Sequence, residues 1–164
     1  MHYEDLSICT YDRHKTGPDS WSVPLYAVGW IESGSPFNQG HMEYEPKVKL
    51  LRMKEQSEKS CFFAGYRGTH HCSICGKDIY GSHKHLLVPG ENCIYVASGG
   101  IVHYVYKHSY MPPEEFMNAI MSCPEVHSNE YRELLRSYHV DEVGLSFSLE
   151  EYREEFKRRI LKKK

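Results

Sequence analysis

Short runs of apolar residues predict the strands of this chain. Val23–Ile31 is largely apolar on both faces, which is typical of a buried strand. The runs His83–Val88 and Asn92–Ala97 flank Pro89–Glu91, and this arrangement predicts a β-hairpin. Cys61–Ala64 is long enough for one more short strand.

Apolar residues at helical spacing predict five helices. Pro112 and Pro113 end one helix and start the next, because proline cannot continue a helix but suits its first turn. A capping box at Ser148–Glu151 starts the last helix. The predicted helices cover Lys47–Ser57, Ile101–Tyr110, Pro113–Met121, Ser128–Tyr138 and the segment from Ser148 onward.

Two further expectations concern packing. In the first helix, Val48 and Leu51 should share a buried face with the stem of Lys54, while Lys49 and Arg52 stay in solvent. Residues 1–22 are polar and rich in turn formers, which favours an extended arm that packs only in part.

Length and composition indicate one globular domain. The chain has 164 residues, of which 26% are charged and 40% hydrophobic, and it contains no apolar run that could span a bilayer. Met1 is followed by polar and acidic residues rather than by a secretory leader, so we expect a cytoplasmic protein. The six cysteines then belong to a reducing compartment, where most stay free or bind metal. A net charge of −2 disfavours a nucleic-acid partner.

Cys72 and Cys75 form a Cys-x-x-Cys pair, which is the spacing of a zinc knuckle. Gly76 follows directly and suits the sharp turn of such a knuckle. A thioredoxin-like dithiol is the weaker alternative, because that motif opens a helix and glycine follows here.

His103 and His108 supply a second pair, after the predicted hairpin and on the helix that precedes the double proline. Four intervening residues lie within the range of zinc-finger histidine pairs, and a distorted last turn would bring His108 to the side of His103. We therefore predict one structural zinc ion held by Cys72, Cys75, His103 and His108. His83 or His85, which share a face of the hairpin arm, stays an alternative ligand.

The predicted fold class is α+β. It is a small single domain with a zinc knuckle, a β-hairpin and a following helix, in a finger-like or treble-clef-like core. A helical C-terminal region completes it.

The runs Arg67–Cys75, His103–Val105 and His108–Pro113 with Phe116 have the pattern RGxHxCxxC followed by HYVxxHxYxPPxxF. In this pattern the chain resembles an uncharacterised bacterial family of domains of unknown function. The resemblance extends over residues 1–121, which implies a zinc-containing α+β domain there and a helical extension packed on it at 122–164. It selects the same four ligands and adds Arg67 and His70 as motif positions, with His71 as a departure beside His70.

Two interpretations of function follow. The first is a zinc-stabilised, non-enzymatic binding or interaction protein with a protein partner and no membrane, because four protein ligands leave no open metal position. The alternative is a metal-associated hydrolase or nuclease that uses His70, His83 and His85, with Arg67 as an anion clamp. Against it, the sequence contains no nucleophile elbow, phosphate-binding glycine loop or His-Glu-x-x-His helix.

Overall fold

The computed structural model describes residues 1–11, 20–59, 69–80, 82 and 84–140, together with positions 150, 154 and 161. The predicted strand Cys61–Ala64 and the predicted last helix from Ser148 lie outside the continuous described ranges. The elements are β1 (Leu25–Val28), α1 (Tyr44–Lys59), β2 (His70–His71), β3 (Asp78–Ile79), β4 (Leu86–Gly90), β5 (Cys93–Ala97), α2 (Ile101–Lys107), α3 (Glu114–Ser122) and α4 (Asn129–Tyr138).

The main sheet has the strand order β1-β5-β4, and the predicted α+β class is confirmed. β5 is its central strand, parallel to β1 and antiparallel to β4. All five of its residues are buried, as expected of a strand covered on both faces. The second sheet is the small antiparallel pair of β2 and β3. No helix within the described ranges is long and apolar enough to cross a membrane.

The hairpin between β4 and β5 is confirmed, but its turn differs from the prediction. Pro89 lies inside β4, paired with Ile94, and the turn is formed by Glu91 and Asn92. Asn92 adopts a φ of 56°, a left-handed conformation that asparagine tolerates better than most residues. Pro89 fits in β4 because this is an edge strand, where a missing N–H is tolerated.

The buried face of α1 differs from the predicted one. It consists of Leu50, Met53, Lys54 and Ser57, so Lys54 is buried as predicted, whereas Val48 and Leu51 are only partly buried. Lys49 does not stay in solvent as predicted, because its ammonium donates to the carbonyl oxygens of Met121 and Cys123 at 2.8 and 2.6 Å, at the end of α3. This contact of a lysine with a helix C-terminus lies beside the buried face and helps to hold α1 against α3.

The chain segments at both ends of the described region pack on the sheet. The N-terminal segment bonds to β1, where the amides of Leu6 and Cys9 donate to the carbonyls of Ala27 and Leu25. At the C-terminal side, α4 is attached to β4, because the buried hydroxyl of Tyr131 donates to the carbonyl of Leu87 at 2.6 Å. Ser128, the predicted first residue of this helix, is its N-cap and accepts from the amide of Tyr131.

Candidate metal centre

The two cysteines lie on a knuckle that the β2–β3 pair closes. The amide of Cys72 donates to the carbonyl of Lys77, and the amide of Gly76 donates to the carbonyl of Cys72, both at 2.8 Å. Gly76 has a φ of +68°, the left-handed conformation that the sequence suggested for this position. The turn therefore holds both thiols at one end of the short β2–β3 hairpin.

The two histidines lie on either side of the point where α2 ends. His103 is inside the helix, whereas His108 is its C-cap with φ −118° and ψ 8°. The helix is thus shorter than the predicted Ile101–Tyr110, because Ser109 takes a φ of 52° that no right-handed helix can contain. Because His108 leaves helical geometry, its ring turns toward His103, as the prediction of a distorted last turn requires.

The four predicted residues come together in one cluster that could hold a metal ion. Each offers one ligand atom, and these atoms all lie within 4.8 Å of one another. Nε2 of His103 and Nε2 of His108 are 3.2 Å apart. Sγ of Cys72 lies 3.4 Å from Nε2 of His108, and Sγ of Cys75 lies 3.5 Å from Nε2 of His103.

Three of the six separations between these ligand atoms match those of a tetrahedral metal ion. Bonds of about 2.3 Å to sulfur and about 2.05 Å to nitrogen imply ligand atoms about 3.3 Å apart for two nitrogens and about 3.6 Å for a sulfur and a nitrogen. The three distances above agree with these values to within about 0.2 Å. Two thiols and two imidazoles are a donor set suited to zinc.

The environment of the four residues favours their metal-binding forms. Cys72 is fully buried, Cys75 is exposed, and both histidines are partly buried. Desolvation, followed by the nearby His108, lowers the pKa of His103, which favours the neutral ring whose lone pair a metal needs. Burial and the two thiols beside it raise the pKa of Tyr104 to about 12, so its hydroxyl stays protonated.

The other described histidines of this region, His70, His71 and His85, lie outside the cluster. Nε2 of His70 is 3.2 Å from the hydroxyl of Tyr104, and Nδ1 of His71 is 2.9 Å from the Asp78 carboxylate. Nδ1 of His85 accepts from the amide of Gly99 at 3.0 Å, and its ring packs against Trp30. Arg67 and His83 lie outside the described residues.

Tyr104 is the residue that the sequence interpretation missed. Its backbone carbonyl accepts from the amide of His108, and its hydroxyl contacts His70 and the carbonyl of Ile31. It thereby joins the knuckle strand to the helix that carries both histidines. The available sequence signal for this role was the position of Tyr104 between His103 and His108. Because it follows His103 directly, its side chain points to a different side of the helix.

The fold and the site define the class of this protein: a small α+β protein with a Cys2His2 cluster that could hold a metal ion. The chain belongs to the DUF7919 family, a domain of unknown function whose model matches residues 1–121. Neither the curated proteins nor the solved structures gave a match. All four cluster residues lie inside the matched range.

Proposed function

We propose that Cys72, Cys75, His103 and His108 hold one structural zinc ion, and that the chain is a zinc-stabilised, non-enzymatic binding protein. The observation that carries the proposal is the 3.2 Å approach of the two Nε2 atoms, with both thiols beside them. Two imidazole nitrogens that face each other repel through their lone pairs unless a proton or a cation lies between them. A metal ion accounts for all four atoms at once.

The metal would contribute to folding by joining two segments that share little other structure. β2 and β3 are only two residues long each, and a pair of that size is marginal without further support. The ion would fasten this knuckle to α2, which packs on the body of the domain through the buried residues Ile101, Tyr104 and Val105.

A catalytic role for the metal is the less favoured interpretation. Catalytic zinc usually has three protein ligands and keeps a position for water or substrate, whereas this cluster supplies four. His70 and His85, the described residues of the proposed catalytic cluster, already bond to Tyr104 and to the amide of Gly99. The four-ligand set favours a binding protein, and we expect its partner to be another protein.

The test is metal content measured together with thermal stability. We expect close to one equivalent of zinc in protein purified without chelator, and a loss of zinc in Cys72→Ser and in His103→Ala. If the ion contributes only about 4 kcal/mol to folding, the Tm of either variant falls by about 8–16 °C.

His127→Ala and Cys93→Ser are the matched controls. His127 is exposed and outside the cluster, so its variant should keep both zinc and Tm. Cys93 is a buried core thiol, so its variant can lose stability but should keep zinc. The proposal is refuted if the parent protein contains well under half an equivalent of any transition metal. It is also refuted if the cluster variants keep their metal.

A further inference from the structure

A cavity of about 440 Å³ lies next to the metal centre. It opens between the end of β1, the knuckle strand β2 and the turn before α2, and Tyr104 forms the wall that it shares with the centre. Its volume falls in the range of small-molecule sites. None of the four cluster residues is among its described lining residues, so it is a separate site.

Three of the hydroxyl groups that line the cavity, those of Ser82, Ser98 and Tyr104, can offer a ligand only acceptors. The hydroxyl of Ser82 donates to the carbonyl of Ile79, that of Ser98 to the carbonyl of Gly29, and that of Tyr104 to the carbonyl of Ile31. A carbonyl oxygen cannot donate, so each hydroxyl proton is already used. What remains on these three oxygens is lone pairs, which accept from N–H or O–H groups.

The aromatic lining favours positive charge. The rings of Tyr11, Trp30 and His85 contact one another, with centroid distances of 4.5–5.0 Å, and all three line the cavity. The faces of tryptophan and tyrosine rings attract cations through their quadrupole. Rings of this kind also provide apolar surface for the carbon skeleton of a ligand.

The described lining residues contain one permanent charge of each sign, the Glu32 carboxylate and the amino group of Met1. Glu32 is the one carboxylate among the described lining residues, and they include no lysine or arginine. Glu32 also lies 3.5 Å from the amino group of Met1, but both groups are half exposed. A contact of that kind contributes little and can exchange for another cation.

We propose that this cavity binds a small organic cation with N–H donors, of the primary-amine class. The amine would donate to the hydroxyl oxygens, lie within reach of the Glu32 carboxylate and place its carbon skeleton against the aromatic rings. The proposal goes beyond the protein partner proposed above and does not depend on the metal assignment.

The test compares benzylammonium with its neutral isostere benzyl alcohol by titration of ¹⁵N-labelled full-length protein. We expect saturable shifts of the Trp30 indole and of the amides of Ser98 to Gly100, with a Kd for benzylammonium of about 1 mM or tighter. Benzyl alcohol should bind at least about tenfold more weakly, because it lacks the charge-assisted hydrogen bonds. Equal affinities, no shifts, or shifts spread over other surfaces would overturn the proposal.

Glu32→Gln tests the charge without removing the side chain. We expect it to weaken benzylammonium binding by about tenfold and to leave benzyl alcohol binding unchanged. Glu130→Gln, which changes an exposed carboxylate outside the cavity, should leave both unchanged. Zinc content measured on the same samples separates the two proposals, since binding without zinc would refute only the metal assignment. Zinc-loaded protein without amine binding would refute only the cavity.

Discussion

Nε2 of His103 lies 3.2 Å from Nε2 of His108, although five residues along a regular helix would place the second side chain about 140° further around the axis. The end of α2 at Lys107 removes this conflict, because His108 and Ser109 leave helical geometry. The helix is thus about one turn shorter than predicted, and the two imidazoles lie close together. A cation bound between the rings, as proposed above, would compensate for the loss of that turn.

Removal of the ion should loosen the knuckle before it loosens the core. We expect a strong chelator to lower the Tm and to abolish hydrogen-exchange protection at the amides of Cys72 and Gly76, while β5 stays protected. One equivalent of added Zn²⁺ should restore both properties. Chelated protein that has lost its metal yet keeps its Tm and knuckle protection would contradict a structural role.

Asp5 should stabilise the fold as a hydrogen-bond acceptor rather than as a charge. One of its oxygens, Oδ1, accepts from the amide of Gly29 at 2.9 Å and from the hydroxyl of Tyr110 at 2.8 Å. Asp5→Ala removes both bonds and should cost about 1–3 kcal/mol in urea denaturation, since it leaves two partly buried donors unpaired. Asp5→Asn keeps an oxygen at that position and should cost less than about 1 kcal/mol. Equal losses in the two variants would show that the charge itself is required.

The same carboxyl gives a pH dependence with a definite sign. Burial raises the pKa of Asp5 above its ordinary value of 3.8, with the bonds from Gly29 and Tyr110 opposing the shift. The folded state therefore binds this proton more tightly than the unfolded state does, so the group's contribution is complete below about pH 4 and is lost as the pH rises through the folded pKa. Urea denaturation across this range should show the parent gaining stability on acidification relative to Asp5→Asn. A difference that stays flat would contradict the shift.

Much of this architecture is predictable from the sequence, and the failures share one physical cause. The strand Val23–Ile31, the hairpin and the helix starts depend on local patterns, and the structure contains elements at all of these places. The knuckle turn was predictable because glycine after Cys75 signals a left-handed residue. The contact of Lys49 with the end of α3 was not, because it involves carbonyl groups that lie more than 70 residues away in the chain.

The candidate site shows the same limit. The spacing of the cysteine and histidine pairs indicated four ligands, but not that Tyr104 would bridge the knuckle and α2. Nor could spacing show that His70 and His85 would line a common cavity away from the cluster. Such features depend on contacts between segments that are distant in the chain, and a local sequence pattern does not specify those contacts.

Two glycines near the site should respond differently to alanine. A Cβ at Gly99 would lie 2.2 Å from the carbonyl oxygen of Ser82, whereas a Cβ at Gly76 meets nothing within 4 Å. Gly99→Ala must displace backbone and should cost more than about 2 kcal/mol. Gly76→Ala carries only the left-handed strain of about 1–2 kcal/mol, part of which Gly76→Asn should recover. Thermal melts that rank Gly76→Ala as the worse variant would contradict the packing described around Ser82.

Tyr131 should matter for the attachment of α4 and not for the metal. Its hydroxyl is fully buried and donates to the carbonyl of Leu87. Tyr131→Phe should lower the free energy of unfolding by about 1–3 kcal/mol, because the carbonyl loses its partner, and should leave zinc content unchanged. Tyr80→Phe, at a residue that is 90% exposed, is the matched control and should change neither. A loss of zinc in Tyr131→Phe would show that α4 and the knuckle are coupled.

X-ray absorption at the zinc edge of the purified protein tests the central claim most directly. If Cys72, Cys75, His103 and His108 complete the coordination, the spectrum shows two sulfur atoms at about 2.3 Å and two imidazole nitrogens at about 2.0–2.1 Å. Cys75→Ser should then lose one of the two sulfur atoms. A shell with fewer than two sulfur atoms in the parent, or one in which an exchangeable water replaces a histidine, would contradict the account.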